Sequence, residues 1–170
     1  MRMTLSDLAT AVGGIVDGDA ATEVDGLAID SRDLLPGAAF VALVAERDGH
    51  DFVPAAVAAG AGAVVADRPL DAGFPVVRVT DTGVALLDAG RLARSRLPDR
   101  VVGVTGSVGK TSTKDMLAAV LGRRWVTAAS ARSFNNEIGV PLTLAGAPDG
   151  AGAAVIEMGA RGMGHIALLC

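Results

Sequence analysis

The sequence predicts an α/β protein in two parts: a small N-terminal α/β domain followed by the first portion of a second α/β domain built around a phosphate-binding loop. Three observations carry this expectation. Short β-branched stretches alternate with helical stretches along the chain. A glycine-rich run at residues 103–114 joins a strand pattern to a helix pattern. The 170 residues are 51% hydrophobic but only 3% aromatic, which suits helices packed on a sheet through small and branched aliphatic side chains.

The first half opens with a helix expected at Leu5–Val12, with Thr4 and Asp7 in capping-box spacing. Strands are expected at Gly26–Ile29, Phe40–Leu43, Ala63–Ala66 and Val76–Val79. A helix from Phe52 to Ala59 stops at Gly60. A longer helix from Thr82 to Arg96 is expected to turn Val84, Leu87, Leu92 and Ala93 inward and Arg91, Arg94 and Arg96 outward. Leu97-Pro98-Asp99-Arg100 marks a boundary, giving domains 1–98 and 99–170.

The second half starts with the strand pattern of Val101, Val102 and Val104. The run Gly103-Val104-Thr105-Gly106-Ser107-Val108-Gly109-Lys110-Thr111-Ser112-Thr113-Lys114 follows, leading into a helix from Lys110 to Leu121 with Met116, Leu117, Val120 and Leu121 on one face. Glycines let backbone N–H groups curl around an anion, and the helix N-terminus adds partial positive charge. In that setting Lys110 reaches the β- and γ-phosphates of a nucleoside triphosphate and the Thr111 hydroxyl holds Mg²⁺. Val104 stands where the general G-x-x-x-x-G-K-[ST] pattern has its first glycine. Lys110 and Lys114 are the only lysines in the chain; the other thirteen basic residues are arginines. Lys114 is expected to be a solvated residue on the first helical turn.

Further strands are expected at Trp125–Ala128 and Ala153–Ile156, and Ile138–Ala145 is helical or extended. Three strands fall short of the roughly five such a sheet usually needs, so the second domain is expected to be incomplete. Glu157 follows the last strand, where a carboxylate points into the crevice that binds ligands and can hold Mg²⁺ on the phosphates; it could equally cap the turn at Met158-Gly159-Ala160. Asn135-Asn136-Glu137-Ile138-Gly139 suits a loop, and Asp30-Ser31-Arg32 and Asp48-Gly49-His50-Asp51 suit caps and turns. Arg32 could instead grip a phosphate and Ser31 a polar ligand.

Net charge is −4 with no basic run, which argues against nucleic acid as a partner. The single cysteine, Cys170, excludes a disulfide framework, and His50 lacks a neighbouring histidine or cysteine for a metal. No signal peptide or apolar run of about 20 residues is present, so a cytoplasmic protein without membrane contact is expected.

Taken together, Asp30-Ser31-Arg32 with Pro36-Gly37, Phe40-Val41-Ala42-Leu43, Gly49-His50-Asp51-Phe52, Thr105-Gly106-Ser107-Val108-Gly109-Lys110-Thr111, Phe134-Asn135-Asn136-Glu137-Ile138-Gly139-Val140-Pro141 and Ile156-Glu157-Met158-Gly159-Ala160 resemble the Mur ligases, in order and through nearly the whole chain. The family's loop has the form T-G-S-x-G-K-T, which accounts for the missing first glycine. The Asn-Asn-x-Ile-Gly-Val-Pro and Glu-Met-Gly-Ala segments are similar to the branch that adds D-alanyl-D-alanine to UDP-N-acetylmuramoyl-tripeptide. The resemblance implies three domains, binding in turn a UDP-sugar, ATP and the incoming amine, with acyl-phosphate chemistry in peptidoglycan precursor synthesis and a monomeric full-length protein.

It also implies site roles by motif position. Lys110 is then catalytic. Thr105, Gly106, Ser107, Val108, Gly109, Lys110, Thr111 and Ser112, with Asn135 and Asn136, bind ATP. Thr111 and Glu157 hold the metal, and Ser31, Arg32, Gly49, His50 and Asp51 bind the UDP-sugar. The Glu46–His50 loop is one residue shorter than the family form. The adenine-binding segment, the carbamylated-lysine region and the last domain have no counterpart, so the chain is expected to be an N-terminal fragment without ligase activity of its own. Alternatives are a relative that adds an earlier stem-peptide residue, a non-catalytic UDP-sugar-binding module, or another phosphate-loop enzyme such as a kinase or GTPase. The GTPase reading is weakened by the absence of an Asn-Lys-x-Asp guanine-recognition segment.

Overall fold

Thr4 links the first two elements. Strand β1, Arg2–Thr4, turns directly into helix α1, Leu5–Val12, and the Thr4 hydroxyl accepts a hydrogen bond from the Asp7 N–H at 3.1 Å. Gly13 ends the helix in the left-handed region at φ 62°. The computed structural model describes residues 1–70, 73–131 and 134–169, so Cys170 lies outside the described residues.

The following elements are β2 (Ile15–Asp17), β3 (Glu23–Asp25), β4 (Leu27–Ala28), β5 (Ala39–Val41), a single 3₁₀ turn at Gly49–Phe52, α2 (Val53–Ala58), β6 (Ala63–Ala66), β7 (Val76–Arg78) and α3 (Thr82–Ser95). Strands β1 and β3 pair antiparallel, while a five-stranded sheet runs in the order β2-β7-β6-β5-β4. Only the β2–β7 pair of that sheet is antiparallel. Every residue of β5 and β6 is buried, so these strands show continuous apolar runs without alternation. Phe40 and Val64 anchor the core, with Val53 and Ala56 of α2 packed over them.

Strands β1, β2 and β3 are not foreseen by the sequence patterns. Each has three residues, and β1 and β3 carry charged side chains beside one buried apolar residue, Met3 or Val24. Three residues are too few to display a period of two. The inward face of α3 agrees with expectation at Ala93, is half-buried at Leu87 and Leu92, and differs at Val84. Ala85, Leu86, Ala89 and Ala93 are buried, whereas Val84 is 54% exposed. The buried stripe is three alanines with one leucine, Leu86, so the helix is turned away from the phase that Val84 suggested.

Contacts divide the chain into two units, Met1–Leu92 and the residues from Ala93 onward, so the division falls within α3. The second unit contains β8 (Val101–Val104), α4 (Lys110–Leu121), β9 (Thr127–Ala129), α5 (Gly139–Ala145), β10 (Ala153–Glu157) and α6 (His165–Leu169). Its three strands are all parallel in the order β8-β10-β9. The chain therefore passes from one outer strand to the other before filling the middle. This crossover leaves the loops after β8 and β9 flanking the C-terminal end of β10, the kind of crevice where open parallel sheets bind ligands.

Helix α4 has the predicted bounds but only part of the predicted face, since of its four residues Leu117 and Leu121 are half-buried. Met116 and Val120 are 63% and 68% exposed, and the residue buried instead is Lys114. Among the described residues, no helix is long and apolar enough to cross a membrane.

Candidate functional site

The loop between β8 and α4 is exposed from Thr105 to Gly109 and enters α4 through two glycines with backbone angles that side chains disfavour, Gly106 at φ 143° and Gly109 at φ 79°. Gly109 is the residue before the helix, so no side chain caps the first turn of this twelve-residue helix. The amides of that turn are thereby left to bind something other than a side chain, and an anion is the suitable partner. Lys110 folds back over the loop, its Nζ donating to the Gly106 carbonyl at 2.7 Å. Ser112 and Thr111 lie on the same first turn.

Glu157 closes β10 with 1% of its surface exposed. Its carboxylate has two defined partners. Oε2 accepts from the Thr111 hydroxyl at 2.8 Å, and Oε1 accepts from Asn135 Nδ2 at 2.9 Å. Its own N–H donates to Ser130 Oγ at 2.9 Å. Residues separated by 46 and 22 positions thus meet on one carboxylate because β10 is the central strand. The Thr111 and Glu157 oxygens form a hard-oxygen pair that could hold a divalent cation; among the described residues, no group of three or more His, Cys, Asp and Glu side chains does so.

Asn135 and Asn136 do different work. Asn135 bonds Glu157, and Gly159 gives it room, since a Cβ at Gly159 would sit 2.9 Å from Asn135 Oδ1. Asn136 instead accepts from the N–H groups of Gly139 at 2.8 Å and Ile138 at 3.3 Å, fixing the start of α5. Lys114, expected in solvent, is 5% exposed, and its Nζ donates to the Ser130 carbonyl at 2.7 Å and pairs with Asp115 at 2.8 Å. Ser130 itself was missed, because a serine at a strand end carries no pattern of its own. The rarity of lysine was the available signal for Lys114.

In the first unit, Ser31 and Arg32 line a cleft of about 290 Å³ with Ile29, Asp30, Arg47 and Phe52. The Arg32 guanidinium grips Asp30 through Nε at 2.9 Å and Nη2 at 2.5 Å, yet remains almost wholly exposed. Gly49 and His50 are buried in the 3₁₀ turn and do not line that cleft, while Asp51 is exposed. The His50 ring is held by Asp48 at 2.6 Å through Nδ1 and faces Asp67 at 3.3 Å through Nε2. The His50 backbone N–H, then Arg68 and the His50 ring, hold the Asp48 carboxyl well below the usual carboxylate range. Gly49 has no room for a side chain beside the Leu43 backbone.

Hydrogen bonding from the Arg32 side chain, and then from its backbone N–H, lowers the Asp30 pKa to about 2. A carboxyl whose folded pKa lies below the unfolded value of about 3.9 stabilises the fold above that value and loses the contribution as pH falls toward the folded one. The stability difference between the native chain and Asp30→Asn is therefore expected to be full at pH 7, to shrink from about pH 4 downward, and to diminish in high salt because the pair is exposed. Chemical denaturation across that pH range measures it, and a gap independent of pH would contradict it.

The Mur ligase family catalytic domain matches residues 23–91 and the Mur ligase middle domain matches residues 104–170. The chain belongs to the Mur ligase family. Its relatives include UDP-N-acetylmuramoyl-tripeptide–D-alanyl-D-alanine ligases: that of Escherichia coli K12 is 45% identical over 168 residues, and that of Bacillus subtilis 168 is 39% identical over 175. These alignments cover 98% and 99% of this chain but 37% and 38% of the relatives, so the chain spans well under half their length. Among solved structures, a crystal structure of MurF from Acinetobacter baumannii superposes with a TM-score of 0.87 at 35% identity, covering 99% of this chain and 38% of that one. MurF ligase from Thermotoga maritima, crystallised in complex with ADP, gives 0.72 at 33% identity over 86% of this chain and 35% of that one.

Proposed function

We propose that the chain is the UDP-sugar-binding domain (residues 1–98) and the first part of the ATP-binding domain (99–170) of a cytoplasmic ligase. That ligase joins D-alanyl-D-alanine to UDP-N-acetylmuramoyl-tripeptide in peptidoglycan precursor synthesis. The observation that carries this reading is the convergence of Thr111 and Asn135 on the buried Glu157 carboxylate, beside a glycine loop that Lys110 spans. The names of the curated relatives and the ADP complex of the Thermotoga maritima neighbour support it.

In the proposed reaction, the terminal carboxylate of the UDP-muramoyl tripeptide takes the γ-phosphoryl group of ATP, releasing ADP. The amine of D-alanyl-D-alanine attacks the acyl phosphate, and the tetrahedral intermediate collapses to an amide and inorganic phosphate. Lys110 exchanges the Gly106 carbonyl for phosphate oxygens and spreads positive charge over them. The residues from Thr105 to Gly109, with Ser112, present the loop backbone and first helical turn to the phosphates. Thr111 and Glu157 offer the oxygen donors that suit Mg²⁺, which when bound neutralises phosphoryl charge. Asn135 holds Glu157 in orientation. Ser31 and Arg32, lining the cleft of the first unit, bind the sugar nucleotide; Arg32 keeps its outer edge open for a phosphate while Asp30 fixes its inner edge.

Calorimetric titrations with Mg-ATP and with UDP-N-acetylmuramoyl-tripeptide test both halves. Arg32→Ala is expected to weaken only the sugar nucleotide. The 170 residues are expected to bind without ligating, since the relatives are more than twice as long. Failure of a folded chain to bind either ligand would refute the proposal, and D-alanyl-D-alanine-dependent phosphate release from the 170 residues would refute its incompleteness.

A further inference from the structure

Helix α4 reaches the Glu157 end of β10 by two routes. Thr111 bonds the Glu157 carboxylate directly, at 2.8 Å. Lys114, three residues further along and so a neighbour on the helix surface, reaches the same place through Ser130. Ser130 follows β9 and is stitched to β10 twice: its N–H donates to the Val155 carbonyl at 3.2 Å, and its hydroxyl accepts from the Glu157 N–H at 2.9 Å. Its carbonyl is the atom left over, and Lys114 Nζ takes it at 2.7 Å. Lys114, Ser130 and Glu157 are 5%, 2% and 1% exposed.

A buried ammonium is unfavourable unless it is hydrogen-bonded and paired. Here both conditions are met by Ser130 and Asp115. Lysine fits where arginine would not: a slender stem ends in a compact group with three donors, whereas a guanidinium brings five donors in a rigid fork that must all be matched. In a chain whose other basic residues apart from Lys110 are all arginines, this placement separates Lys114 from the solvated charges.

The geometry points to Lys114 as a positioning residue: by fixing the Ser130 carbonyl it holds the Ser130 hydroxyl against the Glu157 N–H, and so sets the Glu157 carboxylate opposite Thr111 for the metal–phosphate group. This rests on the reading of Thr111 and Glu157 given above. Groups that orient metal ligands without touching the metal typically alter affinity by about 10- to 100-fold when removed. The sign separates positioning from a simple charge effect. Lys114 places a positive charge one helical turn from Thr111, so by charge alone its loss would tighten binding of a cation; loss of positioning weakens it.

The test uses the non-hydrolysable ATP analogue AMP-PNP, titrated into the chain in saturating Mg²⁺ and in EDTA. Lys114→Met is expected to cut the Mg²⁺-dependent gain in affinity about tenfold while leaving the EDTA affinity unchanged. Ser130→Ala removes the hydroxyl that accepts from the Glu157 N–H, the next link in the same chain, without touching a charge, and is expected to act in the same direction. The double variant should be no weaker than the weaker single one, because both remove one connection. A lost fold for Lys114→Met would leave Ser130→Ala to decide. An unchanged or increased metal gain in the folded variants, or additive losses, overturns the positioning role alone. Absence of any metal-dependent gain in the unsubstituted chain overturns it together with the metal reading of Thr111 and Glu157.

Discussion

Lys110→Ala is expected to weaken Mg-nucleotide binding by about two orders of magnitude. A hydrogen bond to a charged group contributes on the order of 1.5–3 kcal/mol, and at about 1.4 kcal/mol per tenfold this is roughly 10- to 150-fold. The upper part of that range applies because one ammonium would serve several phosphate oxygens. In the structure Lys110 Nζ makes a hydrogen bond to the Gly106 carbonyl on an exposed loop. Its removal should therefore leave the sheet intact, and thermal denaturation provides that control. Lys110→Arg is expected to recover little, because a planar fork cannot occupy the place of a compact ammonium across so short a loop. Calorimetry with Mg-ATP measures both variants. A change below about threefold in a folded Lys110→Ala chain would exclude Lys110 from phosphate binding.

The other large effect is on stability and lies in the first unit. Gly49→Ala would place a Cβ 2.6 Å from the Leu43 amide nitrogen and carbonyl oxygen and 2.7 Å from the Ala42 carbonyl carbon. All three are backbone atoms, and the Gly49 N–H already donates to that Leu43 carbonyl at 2.7 Å. Nothing flexible can yield, so the 3₁₀ turn carrying His50 must move away from the end of β5. Overpacking of this kind costs about 1–3 kcal/mol or more. For a unit of this size each kcal/mol shifts Tm by roughly 4–8 °C, so a fall of about 10 °C or more is expected. Gly162→Ala is the control, since its Cβ would meet nothing within 4 Å, and it should change stability by no more than about 0.5 kcal/mol. A Gly49→Ala chain as stable as that control would show that the turn packs differently.

The legible parts of this protein were those that repeat a local rule. The bounds of α1, α4 and β6 follow from capping residues, glycine stops and an unbroken apolar run, and they form as read. The loop at 103–114 was legible because its glycines answer a backbone requirement that no other residue meets at so little strain. Helix faces were less legible. In α4 the sequence offers Met116 and Val120 as apolar candidates, yet both face outward and a lysine is buried. Hydrophobicity alone assumes that a charge seeks water, and it has no means of foreseeing that a carbonyl at the end of another strand will be waiting for it.

The same limit governs the site. The sequence by itself determined which chemical groups are present: an oxygen-rich set at Thr111 and Glu157, an ammonium at Lys110, amides at Asn135 and Asn136, and a guanidinium at Arg32. It could not divide their labour. Asn135 and Asn136 are adjacent and chemically identical, yet one orients the Glu157 carboxylate and the other accepts from the backbone N–H groups of Ile138 and Gly139 where α5 begins. Only the tertiary structure decided this, because β10 inserts between β8 and β9 and brings the ends of all three parallel strands together. Local sequence rules act over a few residues, whereas the Thr111–Glu157 and Ser130–Glu157 contacts join positions 46 and 27 apart. Their pairing is set by strand order, which is a property of the packed sheet.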